Sequence, residues 1–219
     1  NFKIETPDLT VMNNIFYRQL DIYVINLEHR KDRKNSILKL LENLIIPDAF
    51  KININIIKAD IGIKETSYKH WKTNKKYNNL PPRMYKYWQR DITKGEIGCF
   101  NSHLSILEKI KEKNNDENTI NLVLEDDADF EKDFLVNMKQ IYEELVVADN
   151  KWDVCFLGRH TLKNNHISLS RNIEDTGYSY NTHSYIISDK AVKNILGLNL
   201  KNKIIPYDEF LTAIAWNHP

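Results

Sequence analysis

Short apolar runs alternate with segments of helical period along most of this 219-residue chain, and this alternation limits its fold more than any other feature. The first apolar run, residues 22–26, is followed by a Leu- and Ile-rich segment of helical spacing at residues 37–44. Further strands are predicted at residues 53–58, 121–124, 152–157 and 184–188. Strands that alternate with helices favour a mostly parallel, twisted sheet flanked by helices on both faces. We therefore expect an α/β fold in a single domain over residues 1–219.

The clearest helix start is a capping box formed by Thr93 and Glu96. Apolar residues follow at helical spacing, so a helix is predicted from residue 93 to about residue 113. Two further helices are predicted around residues 134–145 and 192–196, where apolar side chains recur with the same period.

The segment at residues 62–90 differs from the rest of the chain because it is polar, basic and rich in aromatic residues. Long loops in a compact domain often serve as lids or binding loops, and this content suits phosphates and sugar rings. A surface insertion with its own small cluster explains the composition equally well.

The overall charge is nearly balanced, with 31 Lys and Arg residues against 30 Asp and Glu residues. The sequence has no excess of positive charge that would favour nucleic acid as a partner. No apolar run approaches the roughly 18 residues of a membrane span. Cys99 and Cys155 both lie in apolar stretches, which predicts buried thiols rather than a disulfide framework.

The sequence begins at Asn1 rather than Met, so we expect it to be a piece of a longer protein. It lacks the pattern of a signal peptide and contains no Asn-x-Ser/Thr glycosylation site. These observations slightly favour a cytoplasmic location, in a microbe or a virus-infected cell, with a lumen as the alternative.

The predicted strand at residues 121–124 ends abruptly in Glu125, Asp126, Asp127 and, two residues on, Asp129. Ligands of open α/β sheets bind at the carboxyl ends of strands, and crowded carboxylates repel one another unless a cation compensates. Mg²⁺ or Mn²⁺ would satisfy such a cluster and complete its coordination with phosphates and water. A solvated acidic turn that caps the next helix is an equal alternative.

Two phosphate chemistries compete for this strand end. A phosphatase of the haloacid-dehalogenase type would use Asp127 and Asp129, but it needs Thr or Val where Glu131 stands. A nucleotide-sugar transferase of the GT-A fold would use Glu125, Asp126 and Asp127 as its metal motif. The Gly-rich phosphate loops of kinases and dinucleotide-binding domains are absent from a sequence with only six glycines.

Gly95, Gly98 and Ser102 leave one face of the capped helix without bulk, so a nucleotide or a neighbouring strand approaches it closely. His103 follows on the same helix, and an isolated histidine is more often structural than catalytic.

Asn26, Arg30 and Arg33 follow the first strand, where guanidinium groups either bind a diphosphate or pair with Glu28 and Asp32.

Near the end of the sequence, Asp208 and Glu209 are candidates for a general base, and His218 is a candidate metal ligand.

Together, these segments resemble glycosyltransferase family 25. The resemblance rests on IYVINLEHRKDR, ITKGEIGCFNSHLSIL, LVLEDDADFE, FLGRH, GYSYNTHSYIISDKAVKNIL and PYDEFLTAIAWNHP, which span residues from about 21 to 219. The family includes bacterial lipopolysaccharide and lipooligosaccharide galactosyltransferases and animal procollagen galactosyltransferases. The blocks near residues 94–100, 178–180, 208–211 and 217–219 resemble the procollagen branch more closely.

The resemblance implies a GT-A-like, Rossmann-like fold, a UDP-galactose or UDP-glucose donor, Mn²⁺ or Mg²⁺, and inversion at the transferred sugar. It implies hydroxylysine of a collagen-like protein as the acceptor. The metal ligands would be Asp127, Glu125 and His218. The donor site would comprise Asn26, Arg30, Arg33, Gly95, Gly98, Ser102, His103 and Asp126. Asp208 would be the catalytic base, with Glu209 as the second choice.

Two residues depart from the family pattern. Asp129 stands where the collagen branch often has a basic or neutral residue, and Tyr207 stands where a small aliphatic residue is usual. Three alternatives stay open: a lipopolysaccharide-type glycan acceptor, the phosphatase, and an inactive nucleotide-sugar-binding module. The oligomeric state is also open.

Overall fold

A computed structural model describes residues 18–48, 50–62, 93–113, 119–162, 167–175, 177–200 and 204–213. The predicted excursion at residues 62–90, apart from Gly62, and the candidate ligand His218 lie outside the described residues. The strands are β1 (Arg18–Asn26), β2 (Phe50–Lys58), β3 (Thr119–Glu125), β4 (Val154–Thr161) and β5 (Ser179–Ile187). The helices are α1 (Lys31–Glu42), α2 (Lys94–Lys113), α3 (Phe134–Ala148), α4 (Asp189–Gly197) and α5 (Tyr207–Ala213).

The five strands form one sheet in the order β2-β1-β3-β5-β4. Strand β1 pairs in parallel with β2 and β3, whereas β5 runs antiparallel to both β3 and β4. The prediction of an α/β fold with a mostly parallel sheet is confirmed, with β5 as the reversed strand. The described residues between β4 and β5 contain no helix, and neighbouring strands without such a crossover run antiparallel.

Side chains alternate along the strands and fill a core on each face of the sheet. Leu20, Ile22 and Val24 of β1 pack on the face covered by α1 and α3. Tyr23 and Ile25 point to the opposite face, which α2, α4 and α5 cover. Each large aliphatic side chain fully buried in this way contributes about 1.5–3 kcal/mol. Both faces are therefore closed, and the strand ends are left as the places for a ligand site.

The predicted capping box forms at the start of α2. The Glu96 backbone N–H donates to Thr93 Oγ1 at 3.2 Å, and the Thr93 backbone N–H donates to the Glu96 carboxylate at 2.7 Å. This reciprocal pairing fixes the direction in which α2 enters the domain.

The two cysteines are free thiols, as expected. Burial raises the pKa of both, that of Cys155 to about 11. In the described part of the chain, no helix combines the length and the apolar character that crossing a membrane requires.

Candidate active site

Three strands bring polar side chains to one edge of the sheet. The parallel strands β1 and β3 end side by side, with Ile25 opposite Glu125. Because β5 is antiparallel, its beginning lies at this same edge, and Ser184 pairs with Leu124. The carboxyl ends of β1 and β3 therefore meet the polar first half of β5.

Glu125 is surrounded by donors. Thr182 Oγ1 donates to Glu125 Oε1 at 3.1 Å, and His103 Nε2 lies 3.5 Å from the same oxygen. His183 Nδ1 lies 3.2 Å from Oε2. Burial alone raises the pKa of Glu125, but the hydrogen bond and charge of His103, with those of His183 and Thr182, outweigh it and hold the pKa below its ordinary value. Glu125 is therefore an anion in the folded protein at neutral pH.

Asp127 lies beside Glu125, with 41% of its side chain exposed. Its Oδ1 is 3.7 Å from His183 Nδ1, and its Oδ2 accepts from Arg33 Nη1 at 2.9 Å. One ligand atom from each of Glu125, Asp127 and His183 lies within 4.8 Å of the others. Two carboxylates and an imidazole fit Mn²⁺ better than Mg²⁺, which prefers oxygen ligands alone. The residues present thus fit the divalent cation expected from the sequence.

Asp126 is placed differently from its two acidic neighbours. Asn26 Nδ2 donates to it at 2.6 Å and Arg33 Nη1 at 3.2 Å, and its side chain is 10% exposed. Asn26 also donates to the Arg30 carbonyl at 3.1 Å, while the Arg30 guanidinium binds Asp32. Of the predicted donor-binding residues in this region, Asn26 and Arg33 therefore hold the acidic turn in place, and Arg30 points to its own helix.

A cleft of about 330 Å³ opens in front of these groups. It is lined by Ile25, Leu27, His29, Arg33, Ala59, Asp60, Ile61, Gly95, Cys99, Ser102, His103, Glu125, Asp126 and Asp127. Seven of the predicted site residues line this cavity, whereas the cavity lining does not include Asn26, Arg30, Gly98, Asp208 and Glu209.

The small residues of α2 have two different neighbours. A Cβ at Gly98 would lie 2.4 Å from the Asp60 carbonyl oxygen, and Ser102 Oγ accepts from the Asp60 backbone N–H at 2.8 Å. The closest approach to Gly98 is therefore made by the chain after β2. At Gly95 the nearest atom of the described residues to such a Cβ is Thr93 Oγ1 at 3.9 Å, so these residues leave that part of the helix face open to the cleft.

Asp208 and Glu209 begin α5 and have unlike surroundings. Glu209 is 2% exposed and accepts a hydrogen bond from the Tyr178 hydroxyl. Asp208 is half-buried, and its two oxygens accept from the backbone N–H groups of Asn181 at 3.1 Å and Glu209 at 2.8 Å. Asn181 lies two residues before His183 and has a positive φ of 71°. Asp208 is therefore tied to the strand that carries His183.

Two residues of the site, His183 and Thr182, are not among those predicted from the sequence. The signal was a polar run, residues 181–184, directly before the apolar end of β5. In a parallel sheet that run would lie at the edge away from Glu125, so only the reversed direction of β5 gives these residues a place in the site.

The chain is similar in sequence to several known proteins. A Xenopus laevis protein named procollagen galactosyltransferase 1-B is 30% identical over 91% of this chain and 31% of its own length. An Aedes aegypti glycosyltransferase 25 family member is 33% identical over 90% of this chain and 31% of its own length. A Bos taurus protein named probable inactive glycosyltransferase 25 family member 3 is 28% identical over 91% of this chain and 32% of its own length.

The chain spans about a third of the length of these relatives. The sequence profile of glycosyltransferase family 25 (LPS biosynthesis protein) matches residues 19–211, which include all five strands except Arg18 and every residue that lines the cleft. The α/β architecture, with its mostly parallel sheet and an acidic strand end, is consistent with a Rossmann-like GT-A fold. This chain belongs to glycosyltransferase family 25.

Proposed function

We propose that this domain transfers a hexose, galactose or glucose, from a UDP-sugar to an acceptor hydroxyl in a reaction that depends on Mn²⁺ or Mg²⁺. The observation that carries the proposal is that one ligand atom from each of Glu125, Asp127 and His183 lies within 4.8 Å of the others, beside the cleft. Family membership supports the transfer chemistry, and the donor set supports the cation.

Glu125, Asp127 and His183 would hold the cation. When bound, the divalent cation supplies positive charge that stabilises the leaving diphosphate. Arg33 faces the same cleft, and its guanidinium can share its hydrogen bonds between the acidic turn and a diphosphate oxygen. Gly95, where the helix face is open, leaves room for the donor to pack closely.

Asp208 is the proposed general base. In an inverting displacement the acceptor oxygen forms the new bond to the anomeric carbon, the bond to UDP breaks with its electron pair, and a carboxylate takes the hydroxyl proton. Two backbone N–H groups fix the direction of the Asp208 carboxylate. Glu209, the second choice, is buried against Tyr178. These surroundings favour Asp208 over Glu209.

The proposed acceptor is the hydroxyl of hydroxylysine in a collagen-like protein, because several relatives are named procollagen galactosyltransferases. A lipopolysaccharide-type glycan is the second candidate, because the family description names lipopolysaccharide biosynthesis. One relative is named a probable inactive family member, so a domain that binds a nucleotide sugar without transferring it is the alternative outside the enzymes. Family membership counts against the phosphatase.

The test is UDP release from a panel of UDP-sugars with Mn²⁺, with and without a hydroxylysine-containing collagen peptide. Release that the peptide stimulates and EDTA abolishes supports the transferase and identifies its donor. If a glycan stimulates UDP release and the peptide does not, the lipopolysaccharide-type glycan is the better candidate for the acceptor. Absence of release from every donor, in a protein that still binds UDP, contradicts the proposal and favours the binding module.

A variant separates the base from the metal site. Asp208→Asn keeps the shape of the side chain but removes the proton acceptor, so kcat is expected to fall about 10²- to 10⁴-fold. Mn²⁺ affinity is expected to stay at the wild-type value, because within the described part of the chain the Asp208 carboxylate accepts from backbone N–H groups and not from the Glu125 cluster. A variant with wild-type kcat would remove Asp208 from the mechanism.

A further inference from the structure

A buried chain of polar groups runs from Glu125, at the wall of the cleft, into the core of the domain. His103 is 0% exposed, and its ring stacks on Tyr207 with centroids 4.2 Å apart and planes 5° apart. His103 Nδ1 is 2.9 Å from the Tyr185 hydroxyl, which is itself 3.3 Å from the Tyr207 hydroxyl. Polar groups buried this deeply are costly to leave without hydrogen bonds. The ring of His103 is therefore fixed in both its plane and its rotation.

The contacts assign the tautomer of this ring. His103 Nε2 faces Thr182 Oγ1 at 3.4 Å and Glu125 Oε1 at 3.5 Å. An ionised carboxylate can only accept, so Nε2 carries the proton. In the neutral ring Nδ1 is then an acceptor, and the Tyr185 hydroxyl at 2.9 Å is its nearest polar neighbour. The Thr182 hydroxyl donates to Glu125 Oε1 at 3.1 Å, so two donors converge on that one oxygen.

The other oxygen of Glu125 has a different neighbourhood. Oε2 faces His183 Nδ1 at 3.2 Å, within the cluster that His183 forms with Asp127. Because Thr182 and His103 hold Oε1, the plane of the carboxylate is fixed and Oε2 is directed toward this cluster. Carboxylates that bind metals depend on such outer hydrogen bonds, whose loss typically costs 10- to 100-fold in metal affinity or activity.

We propose that His103 and Thr182 are positioning residues that hold Glu125 Oε1 and thereby present Oε2 to a divalent cation, with Tyr185 and Tyr207 fixing the His103 ring. This inference rests on the proposed metal-dependent function. It gives His103, which also lines the cleft, a role toward the metal site that acts through Glu125. It also gives the hydroxyl of Tyr207, which departs from the family pattern, a structural role.

The first test is a Mn²⁺ titration followed by electron paramagnetic resonance, which measures free Mn²⁺ without any turnover. Thr182→Val keeps the shape of the side chain but removes one donor, and the Kd for Mn²⁺ is expected to rise at least about 10-fold. Tyr185→Phe removes the partner of Nδ1, with a smaller expected rise. Tyr142→Phe is the matched control, because the Tyr142 hydroxyl binds Arg18 on the other face of the sheet. The control is expected to keep the wild-type Kd.

Two further readouts separate positioning from general damage. Saturating Mn²⁺ is expected to restore the kcat of Thr182→Val, because its defect lies in cation affinity. His103→Gln, whose amide can replace the Nε2 donor, is expected to bind Mn²⁺ better than His103→Asn. Nitrogen-15 NMR of the metal-free wild type is expected to show the proton of His103 on Nε2.

The possible failures are distinguishable. Unchanged Mn²⁺ affinity in Thr182→Val, or a His103 proton on Nδ1 alone, overturns the positioning role and leaves the proposed function intact. A wild-type protein that binds neither Mn²⁺ nor Mg²⁺ overturns the metal site and this inference together. If Thr182→Val does not fold, Tyr185→Phe and the NMR measurement decide the question.

Discussion

Two carboxylates on neighbouring strands of the sheet, Asp21 and Glu125, are satisfied in opposite ways. Asp21 is 1% exposed and accepts from Lys113 Nζ at 2.8 Å, Gln19 Nε2 at 3.0 Å and Asn53 Nδ2 at 3.1 Å. Its charge is balanced by one lysine within the protein. Glu125 lies farther along the strands, at the edge that opens on the cleft. Its closest donors are two histidines and a threonine.

The difference lies in the balance of charge around each group. Lys113 balances the single negative charge of Asp21, so this carboxylate does not need a cation from solvent. The acidic turn brings Glu125, Asp126 and Asp127 together, and among the described contacts one guanidinium, that of Arg33, pairs with it. Excess negative charge in a cleft attracts cations and is relieved by them. The first region therefore stabilises the fold, and the second is suited to binding a ligand.

The largest expected effect is that of Asp127→Ala. Removing a ligand of the proposed cation is expected to lower metal-dependent UDP release by more than about 100-fold, a scale typical of lost transition-state stabilisation. The unfolding free energy is expected to change by less than about 1 kcal/mol, because the Asp127–Arg33 ion pair is partly exposed. Steady-state kinetics and urea denaturation measure the two quantities.

Asp129→Ala is the matched control for this variant. Asp129 is exposed and lies two residues beyond Asp127, outside the cluster of Glu125, Asp127 and His183. Turnover close to that of the wild type is expected. Equal losses in both variants would mean that general acidity of the turn, and not a ligand cluster, supports the activity.

Lys113→Met tests the other region and has the second-largest expected effect. It leaves Asp21 buried without its cation, and the unfolding free energy is expected to fall by about 2 kcal/mol. This is below the usual cost of breaking a buried pair, because the Lys113 side chain is 37% exposed. Mn²⁺ affinity is expected to stay unchanged. Urea denaturation and a Mn²⁺ titration provide the measurements.

Lys190→Met provides the comparison. Lys190 and Asp153 form a surface ion pair at 2.9 Å with side chains 50% and 56% exposed, so its loss is expected to cost less than about 1 kcal/mol. If Lys113→Met is no more destabilising than Lys190→Met, the Asp21 network does not have the structural role assigned to it.

The sequence was sufficient for the local features and insufficient for those that depend on pairing at a distance. The capping box of Thr93 and Glu96 and the acidic strand end at Glu125 are written in consecutive residues. The direction of β5 is not, because it follows from which strands pair, and His183 was missed for that reason. Likewise, the small residue Gly98 indicates that another part of the chain packs closely against α2. Only the fold shows that this neighbour is the backbone of Asp60.

The pH dependence of stability provides a finer test of the Asp21 region. Burial alone raises the pKa of Asp21, but the hydrogen bonds from Lys113, Gln19 and Asn53 and the charge of Lys113 outweigh it and hold the pKa below its ordinary value of 3.8. A carboxyl group with a lower pKa in the folded state adds stability above its unfolded pKa, and this stability is lost as the pH falls through the folded value.

The wild type is therefore expected to lose more stability below about pH 5 than Asp21→Asn does. Urea denaturation of both proteins from pH 7 to pH 3 measures the difference. Parallel curves would show that Asp21 has the same pKa in the folded and unfolded chain, which contradicts the network.

The smallest expected effect comes from Gly95→Ala, which probes the open region. Among the described residues, the nearest neighbour of a Cβ at Gly95 is 3.9 Å away, so alanine is expected to fit and to stabilise α2 by up to about 1 kcal/mol. If the donor packs against this face, the KM for the UDP-sugar rises while kcat changes little. Gly98→Ala is the contrast, because its Cβ would meet the Asp60 backbone, and a loss of about 1–3 kcal/mol in stability is expected. An unchanged KM in Gly95→Ala would place the donor elsewhere in the cleft and leave the metal cluster as its main contact.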